Sequence, residues 1–554
     1  MRVPTPLDVF ACPLGGIRQI EASAGTGKTW NICGLYLRLL IERRLAVQDI
    51  LVVTFTNAAT AELRERIRQR IVDTLAWLRP DRGGGIAASG DDFVPRLVAT
   101  ARDVHGIATS DIVATLELAL STFDEASIFT IHGFCQRALA DTPFTAQMPL
   151  ALELVRDDGP WVTEATNDFW RRRVAADDLD PGLAGHLVAS KDTPARFAEL
   201  LKRHLSKPIA RAEWPARMTD DLRVETEALA AAHAVARTLW HAHHDEIADL
   251  LYRSLPALNG VSYKEDWLAT AIASWDAMLA GEDALAALGD AGAKLDLLGA
   301  AKLSKCTKKN QVTPTHAFFD VAQALLDLRE AAIDRLALQR LALLKRLLDE
   351  GAPAQRDAKR RQRVIAFDDM LFNLYERLTG GDATWLAGAL KTRFPAALID
   401  EFQDTDPLQF AIFDTIYSSR GADEPDDAPA APLFFVGDPK QAIYSFRNAD
   451  LHTYLAAGRK AVARYSLAEN QRSTEPLIQA LNALFTANPR AFMLDGLGYE
   501  SVGFGKKPRK ALVDRSAARA PLHVWTLPDD DSGEPMLKRD ADRAVTAADR
   551  KSVV

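Results

Sequence analysis

The sequence predicts an α/β protein: a doubly wound parallel sheet with helices on both faces, interrupted by a large helical insertion. Three observations carry this. The first 75 residues alternate in period as strand, glycine turn, helix, strand, helix, which is how a doubly wound sheet begins. Short apolar runs return much later, AALID at 396–400 and PLFFVGD at 432–438. Between these blocks, from about 150 to 365, the chain is rich in Ala, Leu, Arg and Asp at helical spacing and has few strand-like runs.

Taken in order, IRQIEA at 17–22 reads as a strand that ends in a glycine turn. Thr29 to Arg43 carries Ile32, Leu35, Leu37 and Leu40 at helical spacing. DILVVTF at 49–55 is β-rich and apolar throughout, as a parallel strand buried on both faces must be. The segment from Thr56 to Leu78 reads as a long helix with Asn57 as its N-cap and Glu62, Arg66 and Arg70 spaced i,i+4. Residues 79–92 are a loop by composition, and GADEPDDAPAAP at 421–432 is an acidic, proline-rich one. Two basic stretches, LSKCTKKNQ at 303–311 and KRRQR at 359–363, lie in the insertion. Lys305, Lys308 and Lys309 suit either a phosphate contact or a merely solvated loop. After about 505 the signal fades.

Composition narrows the class. The chain has 554 residues, 48% hydrophobic and 26% charged, with net charge -8, an ordinary soluble make-up with length for several domains. The mild acidity argues neither for nor against nucleic acid, which needs a local basic surface rather than a basic total. Cys12, Cys33, Cys135 and Cys306 are far apart and form no CxxC pair, so a reducing, cytoplasmic setting is expected. The N-terminus lacks the apolar core of a signal peptide, and no stretch approaches a membrane span.

Three segments carry chemistry. Ala22-Ser23-Ala24-Gly25-Thr26-Gly27-Lys28-Thr29 fits a Walker A loop with alanine for the first glycine. Small residues let successive backbone N–H groups turn onto a phosphate, and the following helix adds its positive end. Lys28 would reach the β/γ-phosphates of ATP, and the Thr29 hydroxyl would ligate Mg²⁺. The second segment, ALIDEFQDTD at 397–406, puts Asp400 and Glu401 at a strand end, beside the crevice where nucleotides bind. Asp400 would hold the metal, and Glu401 would orient and deprotonate the attacking water. In the third, VGDPKQAIYSFRNAD at 436–450, Gln441 is a neutral amide suited to sensing the γ-phosphate. Tyr444, Phe446 and Arg447 follow, a pattern that suits base stacking plus a phosphate contact. A buried helix start would also explain the two aromatics.

Together these segments resemble the superfamily 1 helicases of the UvrD/RecB group. The resemblance implies a RecA-like P-loop NTPase domain with a helical insertion and the start of a second RecA-like domain. VVTFTNAATAELRERI at 52–67 resembles motif Ia, which implies that Thr56 and Asn57 meet single-stranded DNA. FTIHGFCQRAL at 129–139 resembles the next DNA-contacting motif, which includes His132. FDDML at 367–371 resembles the helix before the Walker B strand. LAENQRST at 467–474 resembles motif IV and implies Arg472 as a γ-phosphate ligand from the second motor domain. The implied division is domain 1A at 1–145 and 361–455, insertion 1B at 146–360, and the start of 2A at 456–554.

Within the group, the wording IEASAGTGKT, IFTIHGFCQR, LIDEFQDTDPLQ and GDPKQAIYSFR is similar to the helicase subunits of RecBCD-type exodeoxyribonuclease V. AddA-type and UvrD-type helicases are the nearer rivals, and a non-catalytic scaffold is the rival of another class. The resemblance implies ATP and Mg²⁺ as cofactors and 3′ to 5′ movement on single-stranded DNA. It also implies action at duplex DNA ends in recombinational repair, RecC-like and RecD-like partner subunits, and no membrane. The chain departs from the family pattern at Gln471, where an aromatic usually precedes the arginine, and at Asn448, usually glycine. Asn tolerates a left-handed backbone, so that turn is expected to survive. The family's motifs V and VI and its nuclease domain have no counterpart before Val554, so the chain is expected to hold the N-terminal motor half and to hydrolyse ATP poorly alone.

Overall fold

The structure, a computed structural model, describes residues 4–79, 92–141, 152–176, 179–221, 223–282, 284, 293–380, 384–418, 430–444, 448–507 and most of 520–552. The chain divides into two compact units, Met1–Thr142 with Asn373–Val554, and Pro143–Phe372. The strands in chain order are β1 (Thr5–Pro6), β2 (Ile17–Glu21), β3 (Ile50–Thr54), β4 (Ile128–Thr130), β5 (Glu153–Val155), β6 (Val364–Ala366), β7 (Ala396–Ile399), β8 (Leu433–Gly437), β9 (Ala463–Ser466), β10 (Glu469–Asn470) and β11 (Gly503–Phe504).

The first unit is built on a seven-stranded sheet of order β1-β9-β2-β8-β7-β3-β4, in which every pairing is parallel. Every residue of β3 and β8 is buried. Since neighbouring side chains point to opposite faces, both faces of the sheet are covered. Helix α1 (Lys28–Glu42) follows β2 and is buried continuously from Asn31 to Ile41. Within it Arg38 is buried but fully employed: it donates to the carbonyls of Val9 and Cys12 at 2.7 Å and pairs with Glu42 at 2.5 Å. Helix α2 (Asn57–Leu78) is capped by Thr56, whose hydroxyl accepts the N–H of Ala59, and not by Asn57 as expected. Asn57 is instead the first residue of the helix.

β9 extends this sheet beyond the boundary expected at 455. It pairs with β2 from Arg18↔Ala463 to Glu21↔Ser466, a pairing between segments too far apart in sequence for local pattern to reveal.

The second unit is mainly helical and is organised on one 46-residue helix, Ala317–Gln362. Around its N-terminal part Trp240 and Trp275 pack on Phe318, with ring centroids 4.8 and 5.2 Å apart. Nearer its middle Phe169, Phe197 and Leu347 form a second core. A short parallel ladder, β5 with β6, joins the two ends of the unit. Beside it Lys359, 3% exposed, lies between Asp158 at 3.2 Å and Asp369 at 2.7 Å. The basic run at 359–363 thus begins with a buried, paired lysine. These links place residues 361–372 with the insertion, where the sequence assigned them to the first domain. Exposed Lys308 donates from Nζ to the Pro256 carbonyl at 2.9 Å. Among the described residues no helix is long and apolar enough to cross a membrane.

Candidate nucleotide and DNA site

Because the strands are parallel, their C-terminal ends share one edge of the sheet, and the chemistry-bearing residues gather there. The glycine loop leaves β2 with the N–H of Ala22 donating to the Gly437 carbonyl at 2.9 Å. The Thr26 hydroxyl and N–H fold back onto the Ser23 carbonyl at 2.6 and 3.1 Å. Gly25 and Gly27 have φ of +77° and +91°, the left-handed conformation that glycine adopts without steric cost. A Cβ on Gly25 would lie 2.7 Å from Cβ of Arg472. Lys28 and Thr29 open α1 directly behind this loop.

Asp400 stands one residue beyond β7, its N–H bonded to the Val53 carbonyl at 2.8 Å. Burial, and then the neighbouring Glu401, push its carboxyl up to about 6. Burial and Glu401 raise Asp404 to about 6 as well. Glu401 has φ of +51°, an uncommon conformation for a side-chain-bearing residue. Its Oε2 receives Lys28 Nζ at 2.5 Å and Gln403 Nε2 at 2.8 Å. The first glycine-loop cation and the second strand-end acid therefore meet, as the sequence grouping of Lys28 with Asp400 and Glu401 anticipates.

Folded-state pKa values raised above the ordinary carboxyl range fix a sign. The native state holds these protons more tightly than the unfolded chain, so Asp400 and Asp404 contribute stability at acid pH that is lost as pH rises from about 4 through about 6. Asp400→Asn keeps the acceptor for the Glu401 N–H and removes the buried charge. It is expected to raise the unfolding temperature at pH 7.5 and to flatten the dependence between pH 7.5 and 5, on a scale of roughly 2–4 °C per kcal/mol. Calorimetry at the two pH values checks this.

Gln441 lies in the short turn Pro439–Gln441 after β8, where its Nε2 donates to Asp438 Oδ2 at 2.7 Å. Asp438 also accepts Lys440 Nζ at 3.1 Å, and Lys440 reaches Glu21 at 2.7 Å. Burial opposes the Lys440 charge, but Glu21 and Asp438 outweigh it and raise its pKa. Arg472 is brought to the glycine loop by its neighbours: the N–H of Gln471 donates to the Gly25 carbonyl at 2.7 Å, and Asn470 Nδ2 to the Ala24 carbonyl at 3.0 Å. The Gln471 amide is engaged with Glu469 at 3.2 Å and with the N–H of Lys507 at 3.1 Å.

The expected DNA-facing residues lie at the same edge. Thr56 and Asn57 are exposed after β3, and half-buried His132 is the second residue of the helix after β4. The Tyr444 ring lies 5.1 Å from that of Phe55, tilted by 31°. Phe446 and Arg447 fall outside the described residues. Asn448 has φ of +65°, the left-handed turn anticipated for it. Glu21, Gln403, Asp438, Lys440 and Asn470 join this edge although the motifs assign them no role. A signal exists for one of them: Asp438 follows β8, which like β7 is an apolar run closed by an acid.

Among the described residues, one other cluster brings ligand-type side chains together. His243, Glu246 and His316 approach within 4.8 Å in the second unit. Both ring Nδ1 atoms have partners there, His243 with Glu246 at 3.0 Å and His316 with the N–H of Phe318, where it caps the long helix. The cluster reads as structural.

An α/β unit on a seven-stranded parallel sheet, with a glycine loop and strand-end acids at one edge and a large helical insertion, is consistent with a RecA-type helicase domain. The chain belongs to the UvrD/REP helicase family, whose N-terminal domain profile matches residues 7–461. Among characterised proteins it is similar to the RecBCD enzyme subunit RecB of Escherichia coli, 33% identical over 548 residues that cover 96% of this chain and 43% of that protein. The RecBCD enzyme subunit RecB of Haemophilus influenzae is 31% identical over 536 residues, covering 90% and 42%. That of Mycobacterium tuberculosis is 26% identical over 470 residues, covering 85% and 30%. The chain thus spans less than half the length of these relatives.

Proposed function

We propose that this chain is the motor portion of an ATP-dependent DNA helicase subunit of the RecBCD type, moving 3′ to 5′ on single-stranded DNA and acting at duplex ends in recombinational repair, with RecC-like and RecD-like partners. The observation that carries the reading is the 2.5 Å contact of Lys28 with Glu401 beneath a glycine loop with two left-handed glycines. Residues 22–29 would cradle the phosphates of ATP, with Lys28 on the β/γ-phosphates. Thr29 and Asp400 offer an oxygen-only donor set, which fits Mg²⁺. The metal, when bound, neutralises charge on the transferring phosphate. Glu401 would take the proton of the attacking water, while Gln441 and Arg472 would meet the γ-phosphate.

The test is hydrolysis of labelled ATP with the protein in excess, with and without Mg²⁺ and oligo(dT). The expected result is slow Mg²⁺-dependent hydrolysis, well below robust turnover, that single-stranded DNA accelerates measurably. Hydrolysis indifferent to DNA would overturn the helicase reading.

Tyr444, paired with Phe55, is the described residue best placed to stack on a base, together with the Thr56, Asn57 and His132 edge. Tyr444→Ala is expected to weaken oligo(dT) binding by about fivefold to a hundredfold, the scale of one lost base stack. ATP affinity without DNA should not change. Fluorescence anisotropy with labelled oligonucleotide measures the first, and a fluorescent ATP analogue the second.

A further inference from the structure

One buried amide joins the acid after β7 to the loop after β8. Gln403 is 2% exposed. Its Nε2 donates to Glu401 Oε2 at 2.8 Å and to Asp404 Oδ2 at 3.2 Å. Its Oε1 accepts the N–H of Asp438 at 2.9 Å. Asp438 in turn holds Gln441 Nε2 at 2.7 Å. An unbroken path therefore runs Lys28, Glu401, Gln403, Asp438, Gln441.

The packing around this path is built for a close fit. A Cβ on Gly437 would lie 2.5 Å from Gln403 Oε1 and 3.1 Å from the N–H nitrogens of Phe402 and Gln403, so only glycine lets β8 approach this turn. Phe402 stacks on Phe435 of β8 with centroids 4.0 Å apart and planes at 24°. The orientation of the amide is dictated by its partners: two carboxylates require the NH₂ end and a backbone N–H requires the oxygen. Asp404 also keeps one buried oxygen, Oδ1, with no hydrogen-bond partner. The Gln403 NH₂ already reaches Asp404 through Oδ2 at 3.2 Å, so it keeps an acceptor should Glu401 move away.

We infer that Gln403 is a positioning residue that couples the Asp438–Gln441 loop to Glu401, so that engagement of phosphate by Gln441 sets the Glu401 carboxylate for its task. The inference rests on the ATP-hydrolysis reading above. When Gln441 turns from Asp438 to phosphate, Asp438 loses the partner on Oδ2 and keeps Lys440 on Oδ1; the turn re-centres on Lys440, and the Asp438 N–H carries the Gln403 oxygen with it. The other end of the same amide then slides along Glu401 towards Asp404. The carboxylate leaves Lys28 free for phosphate and turns to the water.

Two variants test this. Gln403→Met removes both hydrogen-bonding ends at similar volume, and Gln403→Asn keeps the amide but is too short to span both partners. Single-turnover ATP hydrolysis with and without oligo(dT), and affinity for a fluorescent ATP analogue, are measured on the full chain for each variant, for Gln441→Ala and for the double variants. The expected result is ATP affinity within about threefold of the parent for the two Gln403 variants, DNA-accelerated hydrolysis lower by about tenfold or more in each single variant, and double variants no slower than the slower single variant. A merely structural role would weaken ATP binding and hydrolysis together and give effects that multiply. Should the Met variant fail to fold, the Asn variant decides. Parent-like hydrolysis in Gln403→Asn, or multiplicative effects, overturns the inference alone. Undiminished hydrolysis in Lys28→Ala overturns the reading beneath it and the inference with it.

Discussion

Lys28→Ala is expected to lower the single-turnover rate of ATP hydrolysis by about a hundredfold to a thousandfold, the scale of losing one charged group aimed at the reacting centre. The lysine would act twice. It would bind the β/γ-phosphates directly. It also lowers the proton affinity of Asp400, whose pKa is about 6 even with that ammonium present. Removing Lys28 raises Asp400 further, so less of this carboxylate, proposed above as a metal ligand, is ionised at neutral pH. The apparent affinity for ATP and Mg²⁺ should fall together with the rate. The fold should survive, because Lys28 is only the first residue of α1 and its side chain is not part of the core. Alanine is also the better helix former. Unfolding temperature and oligo(dT) affinity are the controls. A variant that folds and still hydrolyses ATP at the parent rate removes Lys28 from the phosphate site.

Much of this architecture is legible in the sequence because it depends on local chemistry. ILVVT and LFFVG declare buried parallel strands, since a segment covered on both faces has no polar alternation to show. Gly25 and Gly27 declare the loop because their φ values are ones that side-chain-bearing residues resist. Asn448, standing where the family has glycine, keeps a left-handed backbone because Asn tolerates that conformation better than most side-chain-bearing residues. What was illegible depends on distance along the chain. The strand ARYS at β9 is short and partly charged, and is identified only by its pairing with β2. Lys359 looks like the head of a basic run until Asp158 and Asp369 close on it. Thr56 and Asn57 are both good capping types, so composition alone could not choose between adjacent positions. Gln403 and Asp438 gain meaning only from β7 and β8 lying side by side, which places an amide after one strand against the N–H that ends the other.

Glu401→Gln is expected to have an effect of similar size on rate and the opposite effect on binding. The amide has the same shape and can still accept from Lys28 and Gln403 through its oxygen. It cannot take a proton from water. Hydrolysis should therefore fall by about a hundredfold to ten-thousandfold, the range for loss of a general base. Two charge effects act on affinity, and both have one sign. The Lys28 ammonium, held by the Glu401 carboxylate at 2.5 Å, would exchange an ion pair for a weaker contact with a neutral amide and would be more available to phosphate. The Glu401 charge also raises the pKa of Asp400, so neutralising it leaves Asp400 more fully ionised and better able to hold Mg²⁺. Glu401→Gln should accordingly bind ATP with Mg²⁺ at least as tightly as the parent while scarcely hydrolysing it, whereas Lys28→Ala should lose both. Equilibrium binding of a fluorescent ATP analogue beside single-turnover hydrolysis separates the two variants. Near-parent hydrolysis in Glu401→Gln would mean that the base is another group. Weakened binding would mean that the Lys28–Glu401 pair does not compete with nucleotide, and that the two side chains meet for structural reasons alone.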